Sequence, residues 1–285
     1  RAGVAVAYRL GARASGPGTV GGLAALGDPD VVEDAGAAAE GGTVARPTAY
    51  GFDVGAFDRT RPLVIDPAVL VYAGFVATDD YDRGLGIAVD AAGAAYVSGT
   101  NGEAAYVVKV HPDGTRLDYQ VTLDGKGIDT AFDIDVDPTG AAYVAGATSS
   151  AEDSFPVAGG PDLTFNGGQA DAYVAKLAPG GADLVYAGYL GGAGADFAEG
   201  LVVDAAGHAY VHGPVESTEA SFPTVVGPDL TQNGLWDGFV AKLKADPTAP
   251  EPEANYDFVG FVGGAGYDVL VGPGGWSSGH IGIDD

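Results

Sequence analysis

The feature that most constrains this chain is an internal repeat. Residues 70–99 read LVYAGFVATDDYDRGLGIAVDAAGAAYVSG, residues 117–146 read LDYQVTLDGKGIDTAFDIDVDPTGAAYVAG, and residues 184–213 read LVYAGYLGGAGADFAEGLVVDAAGHAYVHG. A fourth copy opens at Tyr256 with YDFVGFVGGAGYD. A companion segment follows each full copy: YVVKV from Tyr106, YVAKL from Tyr173 and FVAKL from Phe239. The AYV motif recurs at Tyr96, Tyr143 and Tyr210, in steps of 47 and 67 residues. The longer copies carry an insert, SFPVAGGPDLTFNGGQ from Ser154 and SFPTVVGPDLTQNG from Ser221, which the copy after Gly99 lacks. Periods of this size belong to propeller blades or solenoids, in which each unit buries its apolar face only by stacking on a neighbour.

Local chemistry selects the propeller. Ile87 and Val89 alternate with Ala88, the two-residue period of a half-buried strand. Asp90-Ala91-Ala92-Gly93 then forms a turn, matched by Asp137-Pro138-Thr139-Gly140 and Asp204-Ala205-Ala206-Gly207. Asp at the first position and Gly at the last suit a type I turn followed by a left-handed residue. AAYV is the second strand, YVAKL the third and LVYAGYL the fourth. Four short strands joined by turns make one blade, and the inserts fall between the second and third strands as loops on one rim. Abundant Gly, 48 of 285 residues, favours strands and tight turns over long helices. The expected fold class is therefore all-β: a β-propeller of four-stranded antiparallel blades.

These residues resemble the bacterial SBBP β-propeller repeats. The resemblance rests on the GGxGxD step (Gly191 to Asp196, Gly263 to Asp268), the I-x-V-D-x-x-G-x-A-Y-V-x-G core, the SFP segment and the D-A-Y-V-A-K-L strand. It covers residues 66–243 well and residues 256–268 in part. Residues 52–67, FDVGAFDRTRPLVIDP, look like the segment that leads into such repeats. The resemblance implies a seven-bladed propeller in a secreted or surface protein of bacteria, often large and multi-domain, with no established catalytic residues.

On this reading residues 1–65 form a Gly/Ala-rich lead-in with some β structure, where residues 3–10 (GVAVAYRL) are a strand candidate and residues 11–42 read as loop. Residues 66–285 hold the repeats, as units of approximately 70–116, 117–183, 184–254 and a partial 255–285. In the last unit residues 281–284 are a displaced I-x-V-D candidate. DPTAPEPE, residues 246–253, replaces the usual turn between the third and fourth strands. About three complete blades and part of a fourth are too few for seven. The N-terminal region supplies further strands, the chain is a fragment, or another copy completes the ring. A first residue of Arg rather than Met is expected of a processed product or fragment.

The net charge is −26. A surface this acidic repels nucleic acid and anionic lipid, and no apolar run reaches the length of a membrane-spanning helix. Cys is absent, so neither disulfides nor thiol chemistry contribute. Gly275-Trp276-Ser277-Ser278-Gly279 matches the nucleophile-elbow pattern without a following helix, and a Gly-rich loop outweighs it. Gly16 to Gly21 matches G-x-G-x-x-G without a βαβ context. Asp133, Asp135 and Asp137 resemble the start of an EF-hand loop, but Pro138 and Val144 stand where Gly and Glu belong. Asp133 and Asp135 are then solvated, or bind calcium near a rim. Asp196 and Asp268 fit turn capping. His208 and His212 share a strand face but lie about 13 Å apart, too far for one metal, and read as a surface pair. Lys109, Lys176 and Lys242 occupy equivalent positions and suit blade-to-blade ion pairs. Trp236, Phe165 and Phe222 suit either packing between blades or a sugar-stacking rim.

No catalytic, cofactor-binding or metal-binding residue emerges, and calcium is the sole cofactor considered. The expected function is a non-enzymatic extracellular or cell-surface scaffold or interaction module. Its partner would be a protein or glycan at a propeller rim, or a second copy, with no nucleic acid and no membrane insertion. The alternatives are a polysaccharide-active hydrolase or lyase and a carbohydrate-binding propeller.

Overall fold

The computed structural model describes residues 82–266 and the backbone of two earlier strands. The chain divides into two compact units, residues 1–69 and 70–285. In the first, β1 (Val6–Leu10) pairs antiparallel with β2 (Tyr50–Val54), Val6 opposite Val54 and Leu10 opposite Tyr50. The strand expected in GVAVAYRL thus occupies its last five residues.

The second unit contains three four-stranded antiparallel sheets. The first comprises β3 (Arg83–Val89), β4 (Ala95–Thr100), β5 (Ala105–Val110) and β6 (Leu117–Leu123). The second comprises β7 (Asp129–Val136), β8 (Ala142–Thr148), β9 (Asp171–Leu177) and β10 (Leu184–Leu190). The third comprises β11 (Gly200–Val203), β12 (Ala209–Val215), β13 (Asp237–Leu243) and β14 (Tyr256–Val262). Strands follow one another across every sheet in chain order. Helix among the described residues is one 3-10 turn, Pro252–Asn255. The all-β class and the four-strand assignment hold. The sheets are nevertheless offset from the sequence units: Tyr256–Val262, the opening of the fourth copy, is hydrogen-bonded along β13 as the last strand of the third sheet.

The sequence makes these elements through repeated turns. Gly93, Gly140 and Gly207 all have positive φ, 87°, 84° and 87°, where a Cβ would be strained. Each turn Asp accepts backbone N–H groups two and four residues on, as Asp90 Oδ1 does from Ala92 and Ala94 at 3.0 and 2.9 Å. The chain is thereby reversed into the second strand at a fixed register.

The sheets pack face to face, and strand alternation builds two cores. Tyr96, Val107 and Leu123 of the first sheet join Ile134, Val144, Tyr173 and Leu177 of the second. Tyr143, Val174, Tyr186 and Leu190, from the second sheet's other face, join Leu201, Val211, Phe239 and Phe261 of the third. Both faces of the middle sheet are covered, so β8 is buried along its whole length. Each large apolar side chain so enclosed contributes about 1.5–3 kcal/mol.

The first strands of the sheets lie next to one another, with β7 in contact with both β3 and β11. Gly86 permits the first approach: a Cβ there would come within 2.8 Å of the Asp133 Cα. On the far side of β7, Asp133 Oδ2 accepts the Leu201 N–H at 2.9 Å and Asp135 Oδ2 accepts the Val203 N–H at 2.7 Å. The Oδ1 atoms accept from Ile134 and Val136 at 2.9 and 2.8 Å. Two carboxylates therefore serve edge N–H groups on adjacent sheets, donors that edge strands otherwise leave unpaired.

The inserts are loops between second and third strands, as expected. One connection carries an unexpected anchor. Asn255, buried at the end of the 246–253 loop, donates from Nδ2 to the Pro161 carbonyl at 3.1 Å and to Ala249 O at 3.1 Å. Its Oδ1 accepts the Ala249 N–H at 2.8 Å. The loop of the third sheet is thus fastened to the insert of the second.

Candidate functional site

Around the turns, each repeat builds the same polar cluster. The Tyr96 hydroxyl lies 3.0 Å from Asp90 Oδ2 and 3.3 Å from the Gly140 carbonyl of the next sheet. Tyr143 repeats this with Asp137 and Gly207 at 3.3 and 3.4 Å. Lys109 and Lys176 lie 3.4 and 3.5 Å from Asp90 and Asp137 and stand over the rings of Tyr96 and Tyr143. Burial works against the Asp137 charge, but the donors of Thr139 and Ala141, with Lys176, outweigh it and hold its pKa below the usual carboxylate value. Burial first, and the neighbouring carboxylate second, push the Tyr96 phenol up. In the third sheet Lys242 turns to Asp257 at 3.2 Å, while Asp204 takes His208 Nδ1 at 2.8 Å. These lysine pairs are therefore within a sheet and not between sheets: Asp90 and Asp137 stand at the ends of the strands next but one to Lys109 and Lys176, and Asp257 lies on the strand beside Lys242.

A second aspartate series closes the loops before the first strands. Asp129 is fully buried and accepts from Thr148 Oγ1, from Ser150 Oγ at 3.0 Å and from the Gly125 N–H at 2.8 Å. Asp196 does the same with Ser217 Oγ at 2.6 Å and Gly192 N–H at 2.8 Å. Turn capping is the role of Asp196, as its recurrence suggested; Asp268 lies outside the described residues.

These loops frame a cleft of about 420 Å³. It is lined from all three repeats: by Arg83 and Leu85, by Thr130 and Phe132, and by Phe197 and Glu199. The sequence places them there through bulges. Register slips between Gly84 and Gly86 and between Ala131 and Asp133 push Leu85 and Phe132 out of the ladder, as the extra residue of a bulge is. Ile128 and Ser149 complete the wall and hold each other, with the Ile128 N–H donating to Ser149 Oγ at 2.7 Å. Burial raises the Glu199 carboxyl. Apolar side chains, hydroxyls, one guanidinium and one carboxyl together suit a ligand with an apolar face and a hydrogen-bonding edge. Periodicity alone did not single out Leu85 or Phe132; the signal was the residue that breaks the alternation just before I-x-V-D.

A smaller cavity of about 190 Å³ lies between the inserts, with Asp162, Glu219 and Glu253 in its lining. The aromatic candidates divide. Phe222 is buried 5.3 Å from Phe239 and 5.6 Å from Phe261, which is packing and not a rim. Phe165 packs on Tyr189 at 5.9 Å. Trp236 stacks on Phe197 at 6.0 Å and so backs the cleft wall. His212 is buried and not a surface residue, because β12 is the second strand of its sheet, flanked by β11 and β13. Asp133 and Asp135 serve backbone donors, and among the described residues no group of three His, Cys, Asp or Glu side chains is placed to hold a metal ion. The Gly275–Gly279 and Gly16–Gly21 motifs and residues 281–284 fall outside the described residues.

No helix among the described residues is long and apolar enough to cross a membrane. Comparison with protein-family models and with curated proteins finds no match.

Proposed function

We propose that the chain is a propeller-type interaction module of the SBBP-like kind, a non-enzymatic scaffold at or outside the bacterial cell surface. It engages a glycan or protein partner through the cleft at the start of the first strands. One observation carries the reading: bulged residues of successive repeats, Leu85 and Phe132, meet in one cleft beside Arg83 and Glu199. Repeated sheets give a rigid frame, and residues that break the repeat are where such a frame acquires specificity. The face-to-face stacking of the sheets, with their first strands adjacent, supports the propeller arrangement.

The test is binding of the chain to arrayed bacterial-surface glycans and to surface proteins, with Phe132→Ser and Arg83→Ala as variants. Loss of about tenfold in affinity at an unchanged melting temperature supports the cleft, a change of about 1.4 kcal/mol. A partner that binds the double variant as well as the parent chain places recognition elsewhere.

A further inference from the structure

The two interfaces between sheets obey one rule. The leading face of each sheet offers a tyrosine from its second strand, and the trailing face of the next offers an apolar first strand and a turn glycine. Tyr96 meets Gly140 at 3.3 Å, and Tyr143 meets Gly207 at 3.4 Å. Both tyrosines are fully buried, as Ile134 and Leu201 nearly are on the receiving strands.

The same rule leaves two complementary half-interfaces among the described residues. On the trailing face of the first sheet, Ile87 and Val89 occupy the positions of Ile134 and Val136, yet are 68% and 61% exposed. Gly93, the equivalent of Gly140 and Gly207, is exposed beside them. Val108, further out on that side, is buried, so the open part is the inner half. On the leading face of the third sheet, Tyr210 is the equivalent of Tyr96 and Tyr143 but remains only half-buried. Its ring packs edge-on against Phe258 at 6.4 Å, as Tyr96 does on Tyr119 and Tyr143 on Tyr186, both at 6.3 Å. Gly200 stands where Gly86 admits the close approach of β7, and half-buried Val202 follows at the Ala88 position.

We propose that the leading face of the third sheet docks on the trailing face of the first sheet of a second copy of this chain. Tyr210 takes the place of Tyr96 and Tyr143 and donates to the Gly93 carbonyl of the partner copy. Ile87 and Val89 are then covered as Ile134 and Val136 are. The contact is head-to-tail, so each copy keeps one free face, and association proceeds to a closed ring or to a longer array. The surface is distinct from the cleft and needs no foreign partner.

Sedimentation velocity on the 285-residue chain, over a wide concentration range, is the first measurement. Mass should rise with concentration beyond the monomer. Ile87→Arg blocks the trailing face at an exposed position, and Val202→Arg blocks the leading face; each alone should weaken association at least about tenfold. Because each variant retains one intact face, an equimolar mixture should form a 1:1 complex and nothing larger. Tyr210→Phe, which keeps the packing and removes the hydroxyl, should weaken association less than Val202→Arg does. A chain that stays monomeric throughout overturns the proposal. So does a mixture of the two arginine variants that forms no complex, since self-association would then use other surfaces.

Discussion

Asp171 and Asp237 begin the third strands of the two insert-bearing sheets, where the first repeat has Ala104. Each is fully buried and accepts one backbone N–H on Oδ2, from Asn166 at 2.8 Å and from Asn233 at 2.9 Å. Each leaves its buried Oδ1 without a hydrogen-bond partner. A carboxylate there is costly, and burial pushes Asp171 up to about 8. The unfolded chain holds the same group near its ordinary value of 3.8. Between those values the folded state binds the extra proton, so this group's contribution is complete below about pH 4 and is lost as pH rises towards 8. Asp171→Asn keeps an acceptor for Asn166 and removes the charge. It should stabilise the chain at pH 8 by at least about 1.4 kcal/mol, the equivalent of one pKa unit. It should also flatten the slope of stability against pH across that window. Urea titrations of both chains at pH 5 and pH 8 measure this; an equal loss of stability at both pH values would show that the carboxylate is compensated.

At the level of strands and loops, the link between the second and third sheets rests on side chains that replace Gly and Ala of the first repeat. Asp133 and Asp135 stand where β3 has Gly86 and Ala88, and both accept from β11. Replacing both with Ala leaves edge N–H groups unpaired and should cost about 1–3 kcal/mol for each, with faster amide exchange at Leu201 and Val203 than at residues of β12. Asn255→Ala should cost a similar amount and loosen the loop against Pro161, visible as new protease cleavage within residues 246–253. Strand order and turns were legible in the sequence because each recurs: the two-residue alternation, the Asp-to-Gly turn and the AYV core all repeat at fixed offsets. The strand order, with LVYAGYL fourth after YVAKL, already put Tyr256–Val262 at the end of the third sheet, where hydrogen bonding along β13 places it. The unit boundaries at Leu70, Leu117 and Leu184 were not legible, since a repeat can be cut at any strand. Nor were the roles of Asp133 and Asp135. Their spacing fits a calcium loop as readily as an edge cap, and the deciding fact is which backbone lies opposite. The cleft was least legible, since Leu85 and Phe132 matter by departing from the pattern.

Across the whole molecule, 39 acidic side chains face 13 basic ones. Among the described residues, two of the four lysine pairs join turn carboxylates within one sheet, and the acids of the chain outnumber the bases threefold. Such an excess destabilises the compact state by self-repulsion and opposes the approach of two identical copies. Salt screens these terms, because the Debye length falls from about 30 Å at 0.01 M to about 3 Å at 1 M. Raising NaCl from 0.01 to 0.5 M should therefore raise the melting temperature by several degrees and strengthen self-association together. The two responses separate in the Ile87→Arg chain, which should retain the thermal gain while losing the gain in mass. Specific occupation by calcium would look different: millimolar CaCl₂ would exceed NaCl of equal ionic strength, and chelation would reverse the effect. Equal responses to the two salts at matched ionic strength would assign the acidic surface to solvation and repulsion and not to a bound ion. Melting curves and sedimentation at three matched ionic strengths make that assignment.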